Sequence, residues 1–159
     1  MKDDGVIPNS ALPLFLYPQV VDAAHPNRAS TFEQRFAQNG WTHTWRNGIY
    51  SFPHYHSTAH EVLGIACGSA RVCLGGDGGV VLDVKAGDAL LLPAGVGHQN
   101  LGASTDPLVI GAYPKGQDWD LCRQARSQKE LDQIARVPLP SRDSIGGVCG
   151  GLNEHWPHA

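Results

Sequence analysis

The feature that most limits what this chain can become lies between Trp41 and Pro114. Apolar runs of four to seven residues, rich in Val, Leu, Ile and aromatics, are cut short repeatedly by glycine, proline or asparagine. The interruptions are Asn47-Gly48, the run from Gly75 to Gly79, Ala86-Gly87 and Pro93-Ala94-Gly95. Runs this short are strand-length rather than helix-length, and turn-forming residues bound them. About eight strands fit into the stretch. Segments such as Val62 to Cys67 and Ala89 to Pro93 are apolar at successive positions, hence on both faces. That suits a closed or double-sheet structure better than an open sheet with one wet face. The expected class is all-β, a jelly roll or small barrel.

The flanks read differently. Ser30 and Glu33 have the spacing of a capping box and Asn39-Gly40 supplies a stop, so a short helix is expected from Ser30 to Gln38, covering one end of the barrel. Ser127 and Glu130 open a second helix running to about Arg136. From Pro138 onward the chain reads as a strap packed back on the body. The expected organisation is an arm and helix over 1–40, a β core over 41–114, and a helix and strap over 115–159. At 159 residues these make one domain.

A net charge of −3 without a local cluster of Lys and Arg gives no reason to expect nucleic acid. The stretch Met1 to Ser10 lacks the basic and apolar segments of a secretory signal, and the apolar stretch from Ala11 to Val21 is short and broken by Pro13 and Pro18. No membrane span is expected. Cys67, Cys73, Cys122 and Cys149 show no CxxC spacing, so they read as reduced thiols of a cytoplasmic protein.

Asn47-Gly48 is the strongest turn signal in the chain. A two-residue hairpin there would pair Trp45 with Tyr50, His43 with Phe52 and Trp41 with His54. Paired residues share a face, and so do residues two apart on a strand. Trp41, His43, Trp45, Tyr50 and Phe52 would then wall a pocket together with the histidines that follow.

Those histidines carry the chemistry. His54 and His56, two apart on a strand, project the same way about 7 Å apart, close enough for both imidazoles to reach one ion. Glu61 lies an odd number of residues further on and joins them only if the chain breaks, which Ser57-Thr58-Ala59 can provide. A second segment, from Gly87 to Gly102, brings His98 after a Pro-x-Gly turn.

Together the two segments resemble the paired motifs of the cupin superfamily. The first, G(X)5HXH(X)3-4E(X)6G, is met at Gly48, His54, His56, Glu61 and Gly68. The second, G(X)5PXG(X)2H(X)3N, is met at Gly87, Pro93, Gly95 and His98, and departs at Gly102 where asparagine is expected. Asn100, two residues earlier and on the face of His98 by strand parity, is a candidate pocket residue in its place. The runs HYHSTAHEVLG, PAGVGHQNLG, GAYPKGQDWDLC and VPLP further resemble the small YjlB-like bacterial monocupins, a family without an established reaction.

The resemblance implies a single cupin barrel, a double-stranded β-helix, with short peripheral helices. It also implies one divalent transition ion, Fe, Mn, Ni, Cu or Zn, held by His54, His56, Glu61 and His98. The bland alternative is a metal-free polar cluster, but cupins of that kind typically lose a ligand. His60 could compete as a ligand from a helix, yet HEVLG is not HExxH and the run that follows reads as strand. It is expected at the surface or orienting a ligand. Three imidazoles and a carboxylate leave about two positions open on a six-coordinate ion. An open site argues for chemistry on, or capture of, a small oxygenated organic molecule. The readings weighed are an oxygenase with Glu61 as a possible proton acceptor, a metal-dependent isomerase, and a non-catalytic binding or sensing protein. Resemblance to other monocupins suggests a homodimer.

Overall fold

In the computed structural model, which describes residues 1–158, the chain forms eight strands and three helices. The order is β1 (Phe15–Tyr17), α1 (Arg28–Gln38), β2 (Trp41–Asn47), β3 (Glu61–Cys67), β4 (Ser69–Leu74), β5 (Val80–Lys85), β6 (Ala89–Leu92), β7 (His98–Ala103), β8 (Leu108–Pro114), α2 (Gln128–Arg136) and α3 (Gly151–His155). The strands build two antiparallel sheets, one in the order β1-β6-β3-β8-β2 and one in the order β5-β4-β7. The expected all-β class therefore holds. Seven of the strands lie between Trp41 and Pro114; the eighth, β1, comes from the N-terminal arm and edges the larger sheet against β6.

Strand parity explains the doubly apolar runs. On β3, Leu63 and Ile65 point between the sheets, where they pack with Val72, Leu74, Val84, Leu90 and Leu92. Val62 and Ala66 point the other way, into a second core with Phe32 and Phe36 of α1 and with Leu152 and Trp156 near the C-terminus. The large sheet is buried on both faces because a helix and a strap cover its outside. Glu61 has the parity of Leu63 and so enters the space between the sheets.

Helix α1 lies across the larger sheet, against β3, β8 and β2, rather than over an end of the barrel. Its cap is Asn27, whose side chain accepts from the Ser30 amide at 3.3 Å, so the helix begins before the expected Ser30. Gly64 makes this contact possible, since a Cβ there would lie 2.6 Å from the ring of Phe32. Helix α2 starts as expected, with the Glu130 carboxylate accepting from the Ser127 amide at 2.8 Å. The strap is fastened by the fully buried Asp143, which accepts from the amides of Ile145, Gly146 and Leu152 and from the Tyr17 hydroxyl.

The Asn47-Gly48 hairpin does not form. β2 pairs with β8, and the chain after Gly48 crosses to the other sheet, where the Tyr50 carbonyl accepts from the Asn100 amide of β7 at 2.9 Å. Asn-Gly here makes a corner between sheets. A bulge between Thr42 and Trp45, with His43 at φ 54°, changes the facing of β2 part-way along. As a result Trp41 joins the outer core beside Phe36, with its Nε1 donating to the Arg142 carbonyl at 2.9 Å, while Trp45 turns inward.

Gly64→Ala should push Phe32 off the sheet and destabilise the fold by about 1–3 kcal/mol, the usual cost of overpacking. Urea unfolding of the variant against the parent measures this; an unchanged midpoint would mean that α1 does not need the close approach.

Candidate metal centre

The fold gathers the two histidine segments from opposite directions. The chain returning from the sheet crossing forms a single antiparallel bridge, His54 with His98, closed by amide-to-carbonyl bonds of 3.2 and 2.9 Å. After the bend at 57–60, β3 begins at Glu61. The chain break needed between His56 and Glu61 is therefore present. His98 opens β7, and the loop before it is anchored from the N-terminal arm. The buried Asn9 side chain accepts from the Gly97 amide at 3.2 Å and donates to the Gly75 carbonyl at 2.9 Å.

His54, His56, Glu61 and His98 are all buried. Ligating ring nitrogens of the three histidines lie within 4.8 Å of one another. Glu61 Oε2 is 3.1 Å from the Nε2 of His56 and 3.1 Å from the Nε2 of His98. Behind each ring stands a backbone carbonyl: Phe52 at 3.0 Å from His54 Nδ1, Val96 at 3.1 Å from His98 Nδ1, and Asp120 against His56 Nδ1. A carbonyl oxygen only accepts, so each Nδ1 carries the hydrogen and each Nε2 is the nitrogen left for a ligand, which at His56 is a 3.1 Å hydrogen bond to Glu61 Oε2. The three histidine nitrogens thus cluster within 4.8 Å of one another, with Glu61 Oε2 beside those of His56 and His98. Such a set of acceptors is satisfied by a cation or by added protons, and its donors are those that divalent transition ions take. The three buried histidines could hold a metal ion.

Titration follows the same geometry. Burial, with His98 close by, pushes His54 down to about 3. For His56, burial lowers the pKa, but the charge and hydrogen bond of Glu61 outweigh it and raise the group overall. Burial would raise Glu61, yet His56 and His98 hold it well below the usual carboxylate range. Its second oxygen, Oε1, accepts from the Tyr113 hydroxyl at 2.9 Å, and that hydroxyl accepts from Trp45 Nε1 at 2.8 Å. Indole N–H only donates, so the Tyr113 proton is directed at Glu61 and the carboxylate is kept as an acceptor. Burial and the nearby Glu61 charge both raise the Tyr113 pKa, which keeps that proton in place.

A cavity of about 480 Å3 opens onto the cluster. Of the residues expected in its wall, Trp45, Tyr50 and His43 line it, the last at the exposed mouth. Trp41 does not, for the bulge described above. Phe52 stands behind Tyr50, with the Arg123 guanidinium 3.5 Å over its ring, and borders a separate cavity of about 340 Å3. Asn100 turns its side chain to the Gly102 amide at 2.8 Å, a local turn contact. His60 is neither at the surface nor on a ligand. It is buried on the outer face of the large sheet, accepts from the Ala94 amide at 2.9 Å and packs 4.8 Å from Trp156. The alternation that brings Glu61 in sends His60 out.

Three positions beside the cluster carry more contacts than the sequence suggests: Tyr113, which no motif marks, and Trp119 and Asp120, which read there as packing and solubility. Trp119 lines the cavity and stacks on Tyr113 at 6.0 Å. Asp120 holds His56 with its carbonyl and accepts from the Ser57 amide at 2.6 Å with its carboxylate. All three fall in or beside the GAYPKGQDWDLC run, the one signal that could have found them.

No family model matches the chain. It is 36% identical over 157 residues to the uncharacterized protein YjlB of Bacillus subtilis (strain 168), an alignment spanning 97% of this chain and 92% of that one. The chain belongs to the YjlB-like cupins. Among solved structures, this YjlB-like cupin is similar to acireductone dioxygenase from Bacillus anthracis with a cadmium ion in its active centre. Identity is 13% and the TM-score 0.46, over 67% of this chain and 80% of that one. It is also similar to procruciferin, an 11S globulin from Brassica napus, at 21% identity and a TM-score of 0.40, over 49% of this chain and 21% of that one.

Burial pushes His60 down to about 4 from an ordinary 6.5, against the opposing pull of the Pro138 carbonyl. Between those two values the unfolded chain binds a proton that the folded chain refuses. Stability therefore falls as pH falls through this window, by up to about 3 kcal/mol. His60→Gln should be less stable near neutrality, where the Ala94 amide loses its acceptor, but should lose less stability on acidification. Urea unfolding from about pH 7 to about pH 4.5 compares the slopes; equal slopes would assign the acid sensitivity elsewhere.

Proposed function

We propose that this protein is a metal-dependent cupin in which His54, His56, Glu61 and His98 hold one divalent transition ion and act with it on a small oxygenated organic molecule, with oxygenase chemistry ahead of isomerisation. The observation that carries the reading is the cluster of three histidine nitrogens within 4.8 Å of one another, with Glu61 Oε2 3.1 Å from those of His56 and His98 and every Nδ1 already committed to a carbonyl. Bound there, Fe, Mn, Ni, Cu or Zn would supply Lewis acidity and, where the ion is redox-active, one-electron chemistry with dioxygen.

The chain's own residues do the rest. The carbonyls of Phe52, Val96 and Asp120 fix ring orientation and tautomer. Tyr113 occupies Glu61 Oε1 and so leaves Oε2 for the ion. Glu61, held ionised, can accept a proton from a bound molecule only at Oε2, since Oε1 is engaged by Tyr113. Leu63, Ile49 and Trp45 keep the inner wall apolar and exclude water.

Residues 1–40, 41–114 and 115–159 read as one unit, because Ile7 from the arm and Leu152 and Trp156 from the strap are buried with the body. We place it in the cytoplasm as a homodimer: all four cysteines are free, and the edge strand β5 exposes Val80 and Val81. Among the described residues no helix is long and apolar enough to cross a membrane.

Elemental analysis of untagged protein purified without chelator should find about one transition ion per chain. His98→Ala should weaken ion binding more than about 100-fold and Tyr113→Phe about 10-fold, both with the barrel intact by circular dichroism. The same preparation should show a mass of two chains in light scattering. Oxygen consumption with enols, thiols and keto acids separates the chemistries. Uptake supports the oxygenase, interconversion without uptake the isomerase, and binding without turnover a sensing protein. Metal-free protein that stays so after reconstitution would overturn the proposal.

A further inference from the structure

We infer that the cavity takes a planar, singly charged oxygen ligand: an aromatic or enolic monoanion whose oxygens reach the histidine–glutamate cluster while its flat body lies against aromatic walls. The inference rests on the divalent-ion reading and names the chemical class that such a site admits.

Charge decides the first half. The histidines are neutral when each Nδ1–H is tied to a carbonyl and each Nε2 is a ligand, and Glu61 contributes one negative charge. A divalent ion then leaves the buried floor with one positive charge in excess. One anionic group cancels it; a second would be stranded in a low-dielectric wall. Among the described residues that line the cavity, no other cation stands unpaired. The Arg46 guanidinium, at the rim, is held twice by Glu33, at 2.5 and 3.3 Å. His43, at the mouth, faces Asp118 at 4.0 Å, and no lysine lines the cavity. Phosphates and dicarboxylates therefore lack the partner they would need.

Shape decides the second half. Tyr50 stacks on Phe52 at 4.7 Å with 17° between planes and stands edge-on to His54 at 5.2 Å. Trp119 stacks on Tyr113 at 6.0 Å with 16° between planes and stands edge-on to His56 at 5.6 Å. A stacked pair thus stands beside each histidine of the His54–His56 pair. The outer ring of each stays open, Tyr50 at 42% and Trp119 at 43% exposed. Large rings propped at a cavity mouth by a ring behind them offer stacking surface. Beside the cluster the Tyr113 hydroxyl is already committed, to Trp45 and Glu61. Orientation must come from the ion at one end of the ligand and from stacking along its body.

Isothermal titration calorimetry of the zinc-loaded protein tests this with tropolonate, a planar monoanion, lactate, a non-planar monoanion, and oxalate, a planar dianion. Tropolonate should bind about tenfold or more tighter than either of the others. Trp119→Ala and Tyr50→Ala should each weaken tropolonate about three- to tenfold and leave lactate within about twofold. Both side chains are half-open to solvent, so the cores stay filled. Glu33→Gln, which releases Arg46, should strengthen oxalate and leave tropolonate unchanged. Zinc is measured in the protein fraction after desalting and again after titration. Zinc retained, with oxalate or lactate bound as tightly as tropolonate or with tropolonate indifferent to both aromatic substitutions, overturns the ligand class alone; zinc stripped by tropolonate does the same. Zinc lost from the parent protein on desalting overturns the ligand class and the metal reading together.

Discussion

Three carbonyl oxygens, those of Phe52, Val96 and Asp120, determine what the centre of this molecule can do. Each accepts the Nδ1 hydrogen of one histidine and thereby leaves that ring's Nε2 for the centre. Much of the surrounding fold serves to place those carbonyls. Phe52 and Val96 each stand two residues before the histidine they orient, on segments joined by the His54–His98 bridge. Asp120 arrives from the C-terminal region, and its carboxylate is fastened to the Ser57 amide. Within the cluster Glu61 is the buried charge, and it is held by the His56 ring at Oε2 and by the Tyr113 hydroxyl at Oε1.

The large sheet makes such a site possible by being buried on both faces. Helix α1 and the strap seal its outer side, so the fold rests on the outer core of Phe32, Phe36, Trp41 and Trp156 as well as on the space between the sheets. The inner face is then free to give up hydrophobic positions to Glu61 of β3 and Tyr113 of β8, which meet His56 and His98 arriving from outside that sheet. His60 and Glu61 show the division at its sharpest. Adjacent in sequence, one is held neutral against Trp156 in the outer core and the other is held ionised at the centre.

Much of this was legible in the sequence. Short apolar runs and their turns gave the all-β class, and the two-residue spacing of His54 and His56 placed both rings on one side. The break before Glu61 and the turn before His98 completed the cluster. What could not be read turns on single-residue shifts of register. The bulge at His43 puts a non-glycine residue at positive φ, which sequence propensity disfavours, and it alone separates Trp41 from Trp45. Asn47-Gly48 carries a hairpin's chemistry but serves as a corner, because β2 finds its partner in β8 and the following segment finds one in β7. Tyr113 was hidden for another reason. In Leu108 to Pro114 both faces are apolar, so nothing in the pattern told which side met the cavity.

The central claim is that the inward lone pairs of His54, His56 and His98, with Glu61 Oε2, form a seat for one ion. Crystals of untagged protein reconstituted with a single transition metal, measured at that metal's absorption edge, test it directly. One anomalous peak bounded by those four atoms, with each Nδ1 still on its carbonyl, is the expected result. A peak elsewhere, or none with His56 protonated directly against Glu61, would contradict it.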